Sequence, residues 1–233
     1  MRDSQPSPIF LEEYKPPAFL VDTVNLEFLL YEDYTLVNSK LSIRRNISVM
    51  KANDIFLYGE ELELLSIALD GEVISENGYE NDEKSLTIFD VPDQFELECQ
   101  TKLEPHLNTR LEGLYKSKSM FCTQCEAEGF RRITFFLDRP DVMSCYEVTI
   151  EADENHYPVL LSNGNFVTEN SEAGRRRVTW IDPYPKPSYL FALVAGKLAC
   201  LEDQFVTKKN RIVDLRIYVE PKDLDKCSHA MKS

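Results

Sequence analysis

The chain has 233 residues, with 26 Lys and Arg against 40 Asp and Glu, a formal net charge of −14. That balance argues against a nucleic-acid or anionic-membrane partner, because both need a dense basic patch. Hydrophobic residues at 43% and charged residues at 28% exclude disorder. A chain this long buries roughly 70–75% of its unfolded surface, enough for one large β domain or two smaller ones.

The first 17 residues hold Pro6, Pro8, Pro16 and Pro17. They are expected to form an extended arm that lies on the body or frays. Asp3, Glu12 and Glu13 fall in this stretch, and it lacks an apolar signal-peptide core. No run anywhere approaches the ~20 apolar residues of a membrane span. A cytoplasmic, reducing location is therefore expected, with Cys99, Cys122, Cys125, Cys145, Cys200 and Cys227 as thiols rather than disulfides.

From residue 18 to 220 a two-residue period dominates. Leu20, Val24, Leu26, Phe28 and Leu30 are assigned to one face of a strand. Phe95, Leu97, Cys99 and Leu103 alternate with Glu96, Glu98, Gln100 and Lys102. Tyr146, Val148, Ile150 and Ala152 alternate with Glu147, Thr149 and Glu151; Val213, Leu215, Ile217 and Val219 alternate with Asp214, Arg216, Tyr218 and Glu220. Each pattern is that of a half-buried antiparallel strand. Asp70-Gly71 and Asn163-Gly164 predict tight hairpins. Ile133–Leu137 reads as a strand, and the apolar stretch Ser188–Cys200 as a strand covered on both faces. Arg175-Arg176-Arg177, with Glu172 and Asp182 nearby, reads as a solvated strand end, and Trp180 as a core or sheet-face aromatic. Pro221-Lys222-Asp223-Leu224 is suited to start a helix, and residues 221–233 are read as the start of a linker or element that continues. The expected fold class is all-β: a saddle-like, multi-stranded sandwich of large antiparallel and mixed sheets with little helix.

Chemistry is harder to find. Cys122-Thr123-Gln124-Cys125 is a lone C-x-x-C, whereas structural zinc needs a second such pair or a His pair. His106, His156 and His229 are scattered. The helix start and βαβ setting of a redox dithiol are missing too, so two ordinary thiols are expected. The nucleophile elbow, the phosphate-binding loop and the H-E-x-x-H zinc motif are all absent. One segment is unusual: Cys122–Arg132 is polar and does not alternate. A carboxylate there, carried by a loop on a rigid sheet, could bind a cation such as an α-ammonium group. Asp138 and Arg139 downstream are expected to form a polar brace at a turn, with Pro140 fixing the exit.

Thr123-Gln124-Cys125-Glu126, then Arg131 or Arg132, then Phe136-Leu137-Asp138-Arg139-Pro140-Asp141 resembles the N-terminal domain of the zinc aminopeptidase N family, most closely its bacterial type. Leu111–Tyr115, Pro158–Asn165, Asp182–Gly196 and the entry arm Tyr14-Lys15-Pro16-Pro17 carry the same resemblance, which spans about residues 14 to 220. It implies a β saddle packed against a thermolysin-like catalytic domain. In such a domain the T-Q-x-E glutamate binds the free α-amine of a peptide and the glutamine contributes to the same pocket. By position these substrate-binding residues are Glu126 and Gln124. The resemblance further implies a zinc metallo-aminopeptidase of the membrane alanyl aminopeptidase type as the parent. Its partners would be peptides with a free N-terminus and the downstream catalytic domain. The family's G-x-M-E-N segment and H-E-x-x-H helix do not occur in these residues. Zinc is thus expected in the parent and none in this chain, which alone should be inactive. The alternative is a stand-alone, non-catalytic binding module built on the same saddle.

Overall fold

The computed structural model describes residues 10–49 and 52–233. Of the expected arm, residues 1–9, with Pro6 and Pro8, lie outside the described residues. Seventeen strands follow in the described chain. The first six are β1 (Phe19–Leu30), β2 (Thr35–Arg45), β3 (Ile55–Tyr58), β4 (Glu63–Leu69), β5 (Glu72–Val73) and β6 (Tyr79–Asn81). Next come β7 (Ser85–Ile88), β8 (Gln94–Leu103), β9 (Gly113–Ser117), β10 (Met120–Gln124), β11 (Ser144–Asp153) and β12 (Val159–Ser162). The last five are β13 (Asn165–Glu172), β14 (Arg175–Lys186), β15 (Leu193–Gly196), β16 (Ala199–Val206) and β17 (Ile212–Val219). One short α-helix, α1 (Cys227–Lys232), follows the 3-10 segment Pro221–Lys226.

The expected all-β architecture of large mixed and antiparallel sheets is present. Eight strands form one sheet in the order β13-β14-β11-β1-β2-β8-β4-β5. The central β1–β11 pair is parallel, and its other pairs are antiparallel. A four-stranded sheet (β12-β15-β10-β9), a three-stranded sheet (β3-β7-β6) and the β16–β17 ribbon complete the fold. Alternation works as read in β8 and β11: Phe95, Leu97, Cys99 and Leu103, and Tyr146, Val148, Ile150 and Ala152, are buried. Burial pushes the Cys99 thiol up to about 12, so it packs as a small apolar side chain.

Four local expectations are corrected. A bulge between Val21 and Thr23 shifts the period of β1, so Phe19 and Val21 are buried and Leu20 is only half-buried. Asn163-Gly164 is a turn but not a hairpin: β12 pairs with β15, and β13 with β14, so the chain changes sheets there. The β13–β14 hairpin closes instead at Ala173-Gly174, both at positive φ. Ile133–Leu137 is no strand; its one β-bridge joins Phe136 to Tyr58. Ser188–Cys200 divides into a 3-10 turn, Ser188–Leu190, then β15 and the start of β16. Asp70-Gly71 does form the β4–β5 turn, with φ of 52° and 82°.

One continuous apolar cluster joins the eight-, four- and three-stranded sheets. Residues 129–138 run buried across the inner face of the large sheet. Thr101 Oγ1 donates to the Ile133 carbonyl at 3.2 Å, and the Thr134 and Ser39 hydroxyls bond at 2.8 Å. Phe130 sits at the centre, with ring centroids 4.9 Å from Phe136, 5.3 Å from Phe191 and 6.2 Å from Tyr146. Trp180 packs against this core while its indole N–H donates to the Leu160 carbonyl at 3.1 Å. Each member of Arg175-Arg176-Arg177 meets a carboxylate: Glu151, Glu169, and Glu27 with Glu151, respectively.

Residues 14–17 lie on the body. Arg139 holds both carboxylate oxygens of Asp141, at 2.8 and 2.7 Å, and donates to the Lys15 carbonyl at 2.8 Å. The Tyr14 hydroxyl donates to Asp141 at 2.9 Å. Arg139 thus braces the arm with Asp141, and Asp138 points elsewhere; the two do not act as one brace. The Arg139 hydrogen bond, helped by Tyr14, holds the Asp141 carboxyl below its ordinary value. A lowered folded pKa stabilises the docked arm above the ordinary carboxylate range and is lost as pH falls through the lowered value. Proton NMR of the Tyr14 ring should therefore report arm release only in acid, and Asp141→Asn should release it at neutral pH.

Candidate functional site

The residues singled out in Cys122–Arg132 form the end of β10 and the loop that leaves it. Gly113 pairs with Gln124 across the β9–β10 hairpin and adopts φ +71°. On the other side β10 pairs with β15 through Phe121–Ala195 and Cys122–Val194. The Leu193 N–H donates to Thr123 Oγ1 at 2.8 Å, which locks the last turn of strand before the loop.

The loop projects Gln124, Glu126, Ala127 and Glu128 to the surface, while Cys125 and Gly129 are buried beneath them. The Gly129 N–H donates to the Cys125 carbonyl at 2.8 Å, closing the loop on itself. A Cβ at Gly129 would stand 2.4 Å from the Gln124 carbonyl oxygen, 2.9 Å from the Gly113 nitrogen and 3.1 Å from the Cys125 Cα. All three are backbone atoms that cannot move aside cheaply, so only glycine fits. Gly129→Ala is expected to lower the thermal midpoint and to speed proteolytic nicking within residues 125–129. An unchanged midpoint and nicking rate would disprove this role for Gly129.

The structure brings the two named site residues together. Gln124 Nε2 donates to the Glu126 carbonyl at 3.2 Å, so the amide braces the peptide that carries the carboxylate. The Glu126 side chain is exposed and has neither ion pair nor hydrogen bond among the described residues. Its neighbour Glu128 reaches Arg131 Nη2 at 3.4 Å. Of the two loop glutamates, Glu126 is the one whose carboxylate is free to receive an incoming cation. The Glu126–Ala127 peptide is cis.

Below the loop lies an ionic layer. Arg132 meets Glu60, Glu61 at 2.8 Å and Glu112 at 3.3 Å. Arg131, its side chain only 10% exposed, packs over the Tyr58 ring at 4.2 Å. Its backbone N–H and its Nε both donate to Asp138 Oδ2 at 3.1 Å. Nothing in local sequence spacing pairs Arg132 with Glu60 and Glu61, some seventy positions away; those two arrive with the three-stranded sheet, just after β3.

The two cysteines of the C-x-x-C have separate surroundings. Burial pushes the Cys125 thiol up, and the charge of Asp138 adds to it. Burial also raises Cys122, which hydrogen-bonds the Tyr115 hydroxyl. Neither is primed as a thiolate. Among the described residues, no three His, Cys, Asp or Glu side chains converge where a metal ion could sit. No described helix is long and apolar enough to cross a membrane.

Residues 20–190 match the family model described as the peptidase M1 N-terminal domain. The chain is 47% identical over 234 residues to the Aminopeptidase N of Caulobacter vibrioides, covering all of this chain and 27% of that protein. It is 41% identical over 231 residues to the Aminopeptidase N of Escherichia coli, covering 98% of this chain and 26% of that protein. Aminopeptidase A of Legionella pneumophila, solved in complex with aspartic acid, superposes with a TM-score of 0.90 at 36% identity, covering 95% of this chain and 26% of that one. The M1 zinc metallopeptidase of Deinococcus radiodurans shares the fold, with a TM-score of 0.74 at 15% identity over 88% of this chain and 48% of that one. The chain spans about a quarter of the length of the curated relatives it matches.

Proposed function

Because the chain belongs to the peptidase M1 N-terminal domain family, we propose that it forms one wall of the substrate site of a zinc aminopeptidase. In this reading Glu126 receives the free α-ammonium group of a peptide, and Gln124 holds the Glu126 backbone in place. The observation that carries it is the free, exposed Glu126 carboxylate on a loop tied down at both ends. A carboxylate and an ammonium group pair strongly once the cleft around them is partly closed to water. Cleavage confined to the first residue requires that the positive charge at the N-terminus be read.

Zinc, when bound in such an enzyme, supplies Lewis-acid activation of water. The described residues of this chain offer no converging ligand set for it, and we assign its ligands and the catalytic base to a separate catalytic domain. The 233-residue chain alone is then expected to release no chromophore from an alanyl chromogenic substrate with zinc added; sustained turnover would overturn that division of labour. A cytoplasmic location belongs to the same proposal, supported by six unpaired cysteines, and cell fractionation tests it.

Amine recognition is tested with two competitors on the full-length enzyme. An amino-acid amide should inhibit the wild type and lose about tenfold or more in affinity with Glu126→Gln, the scale of one charge-assisted contact. Its N-acetylated counterpart should bind weakly to both. Equal inhibition of wild type and variant by the free amine would remove Glu126 from the site.

A further inference from the structure

The loop that carries Glu126 has two ends, and one buried carboxylate ties its far end to the strand frame of its near end. Asp138 is 3% exposed. Its Oδ2 accepts the Arg131 backbone N–H and the Arg131 Nε–H, each at 3.1 Å, and its carbonyl accepts Arg131 Nη2–H at 3.2 Å. Its Oδ1 accepts the Ser188 hydroxyl at 2.5 Å. Arg131 stands in the 3-10 turn Phe130–Arg132, directly after Gly129, and its Nη2 also reaches Glu128 in the loop. Ser188 opens the turn that leads into β15. That strand pairs with β10, and its Leu193 holds Thr123, next to Gln124. The path Thr123–Leu193–Ser188–Asp138–Arg131 therefore joins the two chain ends of the exposed loop.

We propose that Asp138 is a positioning residue for amine recognition, fixing the Glu126 carboxylate by clamping both ends of its loop to one frame through Arg131 and Ser188. The inference rests on the assignment of Glu126 as the amine ligand and extends it to a residue that never touches substrate. Its physical basis is pre-organisation. A loop glutamate free to wander must be ordered at each binding event, which costs affinity. A carboxylate already held in place meets the ammonium group without that cost. The buried position strengthens the clamp, since every oxygen of Asp138 is engaged in a site of low local dielectric.

The test is a kinetic double-mutant cycle on the full-length enzyme with Glu126→Gln and Asp138→Asn. Asp138→Asn should raise KM for a free-amine peptide about fivefold to tenfold and change kcat by less than twofold. In the Glu126→Gln background it should raise KM no further, because it acts only through Glu126. Ser188→Ala removes a single arm of the clamp and spares the Arg131 pair; it should show the same KM-only effect, smaller, if Asp138→Asn does not fold. Additive effects on KM, or a loss of kcat with KM unchanged, would make Asp138 a general structural residue and overturn the proposal. If Glu126→Gln itself leaves KM unchanged, the amine assignment fails; if Glu126→Gln raises KM and both Asp138→Asn and Ser188→Ala leave it unchanged, the clamp alone fails.

Discussion

Glu126→Ala in the full-length enzyme is expected to lower kcat/KM for short peptides by about a hundredfold or more, while zinc content stays at the wild-type level. The size follows from the proposed pairing of Glu126 with the substrate ammonium in a partly desolvated cleft, the loss of which costs about 2–5 kcal/mol. Direction follows from geometry. Glu126 is exposed and unpaired among the described residues, so its removal leaves no buried charge behind and disturbs no packing. The loss should therefore appear in substrate affinity rather than in stability. Glu128→Ala is the matched control: that carboxylate already faces Arg131, and its removal should change kcat/KM by less than about threefold, as for a surface ion pair. Steady-state kinetics with metal analysis by mass spectrometry decides between them. If the two substitutions exchange their effects, the amine site belongs to Glu128.

The largest structural effect is expected at Phe130. Its ring is fully buried and makes edge-on contacts with Phe136, Phe191 and Tyr146. Phe130→Ala leaves a cavity at the junction of the large sheet, the buried segment 129–138 and the turn before β15. Such truncations cost about 3–5 kcal/mol, which for a domain of this length lowers the melting temperature by roughly 10 °C. Thermal unfolding followed by circular dichroism would show it. Phe130→Leu, which keeps most of the volume, should recover more than half of the loss. A drop of less than about 1 kcal/mol for the alanine variant would mean that the neighbouring rings close over the gap and that Phe130 is not the keystone of this junction.

Alternation made the β-rich class and the cores of β8 and β11 legible, because a half-buried strand must place every second side chain inward. Where the chain departs from simple alternation, the reading failed for identifiable reasons. The bulge after Val21 inserts one residue and reverses the face assigned to Leu20. Asn163-Gly164 carries the composition of a hairpin, but a turn signal states only that the chain reverses, and the partner of each strand is chosen by tertiary packing. Ile133–Leu137 looked like a strand because all of it is apolar enough to be buried; it is buried without a ladder. The exposed loop was legible through the T-Q-x-E resemblance, and within it Gln124 donates to the Glu126 carbonyl. Its supports were less so. Arg131 was visible in the polar segment and Asp138 at the turn that follows, but Ser188, fifty positions after Asp138, carries no local mark of its hydroxyl bond to Asp138. Long-range polar pairs leave no periodic trace, since each partner is a single residue on a separate element.

The one parallel pairing in the large sheet has a consequence for how the protein is made. β1 lies at the sheet's centre, and the strand that completes it, β11, begins more than a hundred residues later. At a synthesis rate of about 5–20 residues per second, that interval is on the order of ten seconds. Throughout it, the β1 backbone presents an open hydrogen-bonding edge with Val24, Leu26 and Phe28 along one side. Nascent chains stalled before residue 144 should thus be prone to aggregate and should engage chaperones, whereas chains released after β14 has emerged should not. The non-local contacts that give the finished domain its rigid centre also make it slow to assemble.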